Sequence, residues 1–294
     1  MPLDGTRFTG LKGPDPVDER DYKARERLPN FGAINVNALP EAVDLEHTCP
    51  IVLDQKTVSG CVGWSGVACY NQNQFAARGL KGRKPSLLSP AFAYRECRAI
   101  DELTEPGSLA HDWGTYVRNF WKVANKLGVP LNSIYEPQFG RQHEGTPAND
   151  FLFPENSIYR RQPQRWVYGD ADDRQALNYF RVTTQAEIMQ SLADGYAVQV
   201  GFTVFRSMYG LGGPKYVVPV PMGADKALGG HAVYIIGYWR TNLSPAGVPA
   251  WKIRNSWGRE GHIAEDGTRH PNFVMPFGYD RWLQDMWTGR SFER

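Results

Sequence analysis

From Trp64 onward the apolar positions Trp64, Val67, Ala68 and Phe75 recur near helical spacing, and Gly79 supplies a stop. The pattern predicts a helix whose first turn carries Cys61, with Ser59 as N-cap offering its hydroxyl to an orphan N–H. Gly60, between them, permits a backbone conformation closed to residues with a Cβ. A second helix is expected from Ser89, with Pro90 in its first turn and Phe92, Tyr94 and Cys97 along it. A third covers roughly 115–127, where Phe120, Val123 and Leu127 mark one face before Gly128 and Pro130 end it.

Beyond this helical half the pattern changes. Residues 132–170 are loop-like, with Pro137, Pro147, Pro154 and Pro163 among polar residues including His143, and the crossover between the two halves is placed there. A strand is expected over 177–183. Thr184-Gln185-Ala186-Glu187 then reads as a capping box opening a helix to about Asp194, closed by Gly195. Tyr196 to Phe205 alternates as a strand, 210–227 is a Gly/Pro-rich loop, and strands follow near 231–240 and 250–255. Phe273 to Tyr279 reads as one more strand and turn. At the other end, residues 1–38 are polar and broken by Pro14, Pro16 and Pro29, with a charged run from Asp18 to Arg27. They read as a surface arm, the rival reading being a short plug of a functional site.

On this framework one residue type suggests chemistry. Cys61 would sit at the positive end of a helix, where the dipole favours thiolate over thiol. A single cysteine in a helix is more often an inert buried side chain. Two distant stretches change the reading: Gly229-Gly230-His231-Ala232-Val233-Tyr234-Ile235-Ile236-Gly237-Tyr238 and Trp251-Lys252-Ile253-Arg254-Asn255-Ser256-Trp257-Gly258. Each sets one polar side chain, His231 or Asn255, in an apolar strand-like run, and a cysteine with a distant His and Asn is a nucleophile signature. Gln55 lies six positions before Cys61. His47 and Cys49 lack two further ligands at metal spacing, so no metal site is expected there.

In this order, Gln55, Cys61, His231-Ala232 and Asn255-Ser256-Trp257-Gly258 resemble the papain-like cysteine peptidases, from about Leu39 to the C-terminus. Val58 stands where the family usually has a disulfide cysteine, and Val62 replaces its tryptophan after the nucleophile, so the likeness is to the bacterial, disulfide-poor branch. Cys97 lies where the family often puts that cysteine's partner; with Val58 opposite it reads as a packed thiol, and the Cys61 loop must be held by packing.

The resemblance implies an α+β, two-lobed fold with the cleft between lobes: an arm over 1–38, a helical lobe over 39–150 carrying the nucleophile, and a β-rich lobe over 151–294 carrying His231 and Asn255. It implies peptide-bond hydrolysis through a thioester. Cys61 would be the nucleophile, His231 the base, Asn255 its orienting partner, and Gln55 an oxyanion donor. Gly114 would lie on the edge that pairs antiparallel with substrate, and Trp257 would shield the His–Asn bond at the substrate site. No cofactor is implied. Acyl transfer to an amine, a silent binding protein and a structural component are the rival functions.

Composition narrows this further. With 294 residues, 41% hydrophobic and 22% charged, the chain can bury a core. A net charge of +2 gives no support for nucleic-acid or membrane-surface binding, leaving peptide or protein as the expected partner. Four cysteines without a Cys-x-x-Cys pair point to reduced thiols. Met1 to Lys12 lacks an apolar leader, which points to the cytoplasm while leaving leaderless export open.

Overall fold

The computed structural model describes residues 10–49, 52–56, 58–79, 85–136, 160–210, 216–259, 262–263 and 269–291. The elements are α1 (Ala24–Arg27), β1 (Ala42–Asp44), α2 (Cys61–Ala77), α3 (Pro90–Glu102), α4 (Val117–Lys126), α5 (Arg165–Asp172), β2 (Asn178–Val182), α6 (Gln185–Ala193), β3 (Val198–Phe205), β4 (Ala227–Trp239), β5 (Ala250–Arg254), β6 (His262–Ile263), β7 (Arg269–His270), β8 (Asn272–Pro276) and β9 (Leu283–Ser291). This is an α+β fold: helices gathered around α2, and an antiparallel sheet in the order β2-β9-β3-β4-β5-β8, with β1 added alongside β4.

Local signals set several boundaries where expected. Ser89 caps α3, its hydroxyl accepting from the Phe92 amide with Pro90 at the first position. Thr184 and Glu187 form both halves of the capping box at α6. Three elements differ from expectation. β9 runs through a stretch without clean alternation and lies inside the sheet between β2 and β3. β1 pairs Ala42–Asp44 with Gly237–Trp239. α5 forms within a segment read as loop, where Tyr168 packs edge-on against Phe92 at 5.5 Å. His143 lies outside the described residues.

α2 is buried on all sides from Cys61 to Phe75. Its flanks explain how. Gly63 and Gly66 bring α2 close to its neighbours: a Cβ at Gly63 would lie 2.9 Å from Tyr94 Cβ, and one at Gly66 would lie 2.4 Å from the Phe120 ring. The polar half of α2 is buried but satisfied. The Asn73 amide donates to Ala197 O (3.1 Å) and accepts from the Ala197 amide (2.8 Å). Gln72 donates to Gly195 O (2.9 Å), and Asn71 to Ser86 O (3.0 Å). Buried amide side chains with matched partners tie α2 to both halves and fix its register.

Candidate active site

Cys61 is the first residue of α2. Its N-cap is Gly60 rather than Ser59, and no side chain caps the helix. Gly60 has an ordinary φ of −91°, so freedom of backbone is not its use. A Cβ there would fall 2.5 Å from the Trp64 ring, so glycine is required by packing. No side chain takes up the N–H groups of the first turn, which carries Cys61. Against the larger effect of burial, the amides of Ala232, Gly10 and Val62 favour the thiolate form of Cys61. Ala232 adjoins His231, so the start of β4 reaches Cys61.

His231 Nε2 lies 2.8 Å from Asn255 Oδ1. The same Oδ1 accepts from the Ser256 amide at 2.8 Å, which identifies that atom as the oxygen. Nε2 therefore carries the proton, and Nδ1 is the unprotonated ring nitrogen. Trp257 is buried and stacks at a tilt over the imidazole, ring centres 4.8 Å apart; Phe202 meets the ring's other surroundings edge-on at 5.8 Å. Gln55 is buried beside this group. Its carboxamide oxygen accepts from Ser256 Oγ (2.7 Å), and Nε2 donates to Val58 O (2.8 Å), which occupies one of its two N–H bonds. Ser256 thus links the segments of Gln55 and Asn255, a connection with no signature in the sequence.

Most of the arm from Gly13 to Ala38 lies on the surface, as expected, but its Gly10–Lys12 segment is docked. The Leu11 amide donates to Gly230 O (3.1 Å), the Thr115 amide to Gly10 O (2.9 Å), and the Lys12 amide to Thr115 O (3.2 Å). Gly10 to Lys12 is therefore a strand laid between the Gly114 edge and the His231 edge, antiparallel at Gly230 and parallel at Thr115. Gly114 has φ +70°, and a Cβ there would sit 1.9 Å from Gly10 O. Glycine allows both the turn and the close approach, while the backbone pairing itself falls on Thr115. Leu11 points its side chain at Gly201 and Val117 and is 5% exposed. The expectation of a solvated arm holds for most of residues 13–38 and fails at Gly10–Lys12, where the backbone, rather than any apolar side-chain pattern, makes the bonds. With the arm in place burial pushes the Cys61 thiol up to about 12.

Further along, the arm is held by carboxylates. The Asp15 amide donates to Asp285 Oδ2 (2.6 Å), and Asp15 accepts from Trp287 Nε1 (2.7 Å) and the Arg118 amide (3.1 Å). Asp285 pairs with Arg181 at 3.0 Å and has φ +45° at an irregularity of the β3–β9 register, which turns its carboxylate toward the arm. Burial, then the Asp15 charge, pushes Asp285 up to about 7; burial also raises Asp15. An acid raised in the docked state favours docking fully below its ordinary pKa of 3.8 and loses that contribution as pH rises toward 7. Hydrogen exchange at the Leu11 and Lys12 amides, corrected for intrinsic rates, is therefore expected to quicken between about pH 4 and 7, and Asp285→Asn to flatten that rise. A pH-independent corrected rate in the unsubstituted chain would refute this latch.

Comparison with known proteins gives the family and the fold. The family model for papain family cysteine proteases matches residues 39–267. The structure superposes on xylellain, a cysteine protease from Xylella fastidiosa, with a TM-score of 0.74 and 25% identity, covering 98% of this chain and 97% of that one. It superposes on procathepsin B S9 from Trypanosoma congolense with a TM-score of 0.62 and 14% identity, covering 100% and 89%. An uncharacterised peptidase C1-like protein of Acanthamoeba polyphaga mimivirus is 22% identical over 250 residues, covering 80% of this chain and 68% of that protein. With the family model spanning most of the sequence and the papain-like fold shared with these structures, the chain belongs to the papain family of cysteine proteases.

Proposed function

We propose that this peptidase cuts peptide bonds with Cys61, His231 and Asn255 as its triad, in a cleft that its own N-terminal arm closes at rest. The observation that carries the reading is the His231–Asn255 bond, which puts the proton on Nε2 and leaves Nδ1 the basic nitrogen where β4 meets the N-terminus of α2. With the arm displaced, Nδ1 takes the thiol proton and Sγ attacks the substrate carbonyl carbon. The oxyanion is held by the Cys61 amide and the second N–H of Gln55. The imidazolium returns its proton to the departing amine, leaving a thioester. Nδ1 then deprotonates water, which attacks the thioester and releases the acid and the thiol. Trp257 keeps water from the His–Asn bond, and the edge at Gly114 and Thr115, now filled by the arm, is where substrate backbone pairs.

A peptide-library digest read by mass spectrometry, with Cys61→Ala as control, tests the reading. New termini are expected with the unsubstituted chain and none with the variant. Equal cleavage by both would overturn the assignment.

A further inference from the structure

We propose that Asp112 is a positioning residue for the nucleophile, its carboxylate strapping the turn that delivers Cys61 to the loop that carries the substrate edge. The inference rests on the peptidase reading above. The Ser59 amide donates to Asp112 Oδ2 at 2.7 Å, across 53 residues of chain. The other oxygen, Oδ1, accepts from the Tyr94 hydroxyl. That hydroxyl also receives the Gly114 amide at 3.2 Å. One carboxylate and one phenol therefore join Ser59, two residues before the sulfur, to Gly114.

The loop behind Asp112 is held rigidly, so the strap is set in advance. Arg98, fully buried in α3, donates to the carbonyls of Ser108, His111 and Gly114. Glu102 accepts from the amides of Gly107 (2.9 Å) and Leu109 (2.7 Å). On the other side, the turn has no side-chain helix cap, and no cysteine of the chain is in a disulfide. A bond to a carboxylate is about twice as strong as a neutral one. Packing alone, the expectation from the sequence, is thus not what fixes Ser59-Gly60-Cys61.

The strap has an electrostatic side. An anion near the sulfur opposes the thiolate, and the Asp112 charge is one of the influences raising the Cys61 thiol, after burial. Asp112→Asn can keep both contacts, its oxygen facing Ser59 and its amide facing the Tyr94 oxygen, while removing the charge. Asp112→Ala loses contacts and charge together.

The test uses the full chain. Alkylation of Cys61 by iodoacetamide is followed across pH, and hydrolysis of a fluorogenic peptide is divided by the high-pH alkylation rate. Every chain compared, the one unsubstituted at Asp112 included, also carries Leu11→Asp to loosen the arm over the sulfur, so the midpoint reports the thiol and residual opening cancels from the ratio. Asp112→Asn is expected to lower the midpoint by about half a unit, roughly threefold more thiolate at a given pH. It should also hydrolyse within a few-fold of the unsubstituted chain. Asp112→Ala is expected to lose about tenfold or more in the normalised rate. An unmoved midpoint in Asp112→Asn, or equal normalised rates in Asp112→Ala and the unsubstituted chain, would overturn the proposal. If the midpoint moves as expected but no chain hydrolyses peptide, the peptidase reading fails and the hold of Asp112 on the thiol stands.

Discussion

Leu11→Asp in the full chain raises both Cys61 alkylation at pH 7 and peptide hydrolysis by roughly 30- to 150-fold. The leucine side chain is enclosed by Val117 and the open faces of Gly201 and Gly230, and burying it contributes about 2–3 kcal/mol. Every 1.4 kcal/mol lost from docking multiplies the open population tenfold until it dominates. A carboxylate in the same pocket adds a desolvation cost on top of the lost apolar contact. The backbone bonds to Gly230 and Thr115 are unaltered by the substitution, so the effect isolates the side chain. Opening also rehydrates the sulfur, so thiolate forms more readily than in the closed state. Rates unchanged by Leu11→Asp, with the melting temperature preserved, would mean that the arm does not govern access.

The second large effect lies in the triad. His231→Ala and Cys61→Ala are each expected to remove about 10⁴-fold or more of the hydrolysis, and the double variant to be no worse than either. Asn255→Ala should leave measurable activity, because His231 remains while losing the acceptor that selects its tautomer. Gln55→Ala should cost about 10²- to 10³-fold, the range for one oxyanion donor. Part of that loss would be structural, since Gln55 also binds Val58 O and Ser256 Oγ. Initial rates with a fluorogenic peptide on the Leu11→Asp background rank the four. Asn255→Ala falling as far as His231→Ala would assign the amide more than orientation.

What the sequence revealed follows the range of the forces involved. Ser89-Pro90 and Thr184 with Glu187 fix helix starts through contacts three residues apart, so they were legible. The order Gln55, Cys61, His231, Asn255 was legible because its residue types are chemically constrained. β9 was not: Asp285 breaks its alternation, and its partners β2 and β3 lie far back in the chain. α5 contains Gly169 and owes its helix to packing on α3 through Tyr168. The arm's docking uses main-chain bonds that any residue can make, so no side-chain pattern announced it. Ser59 failed as a cap for a related reason: its amide is drawn to Asp112, which the sequence separates widely.

The cysteines carry a practical consequence. Because none of them is in a disulfide, a reducing agent strong enough to reverse sulfenic acid or mixed-disulfide damage at Cys61 has no cross-link elsewhere to sever. The enzyme should tolerate high dithiothreitol without any fall in its melting temperature, so storage and assay can share the same buffer.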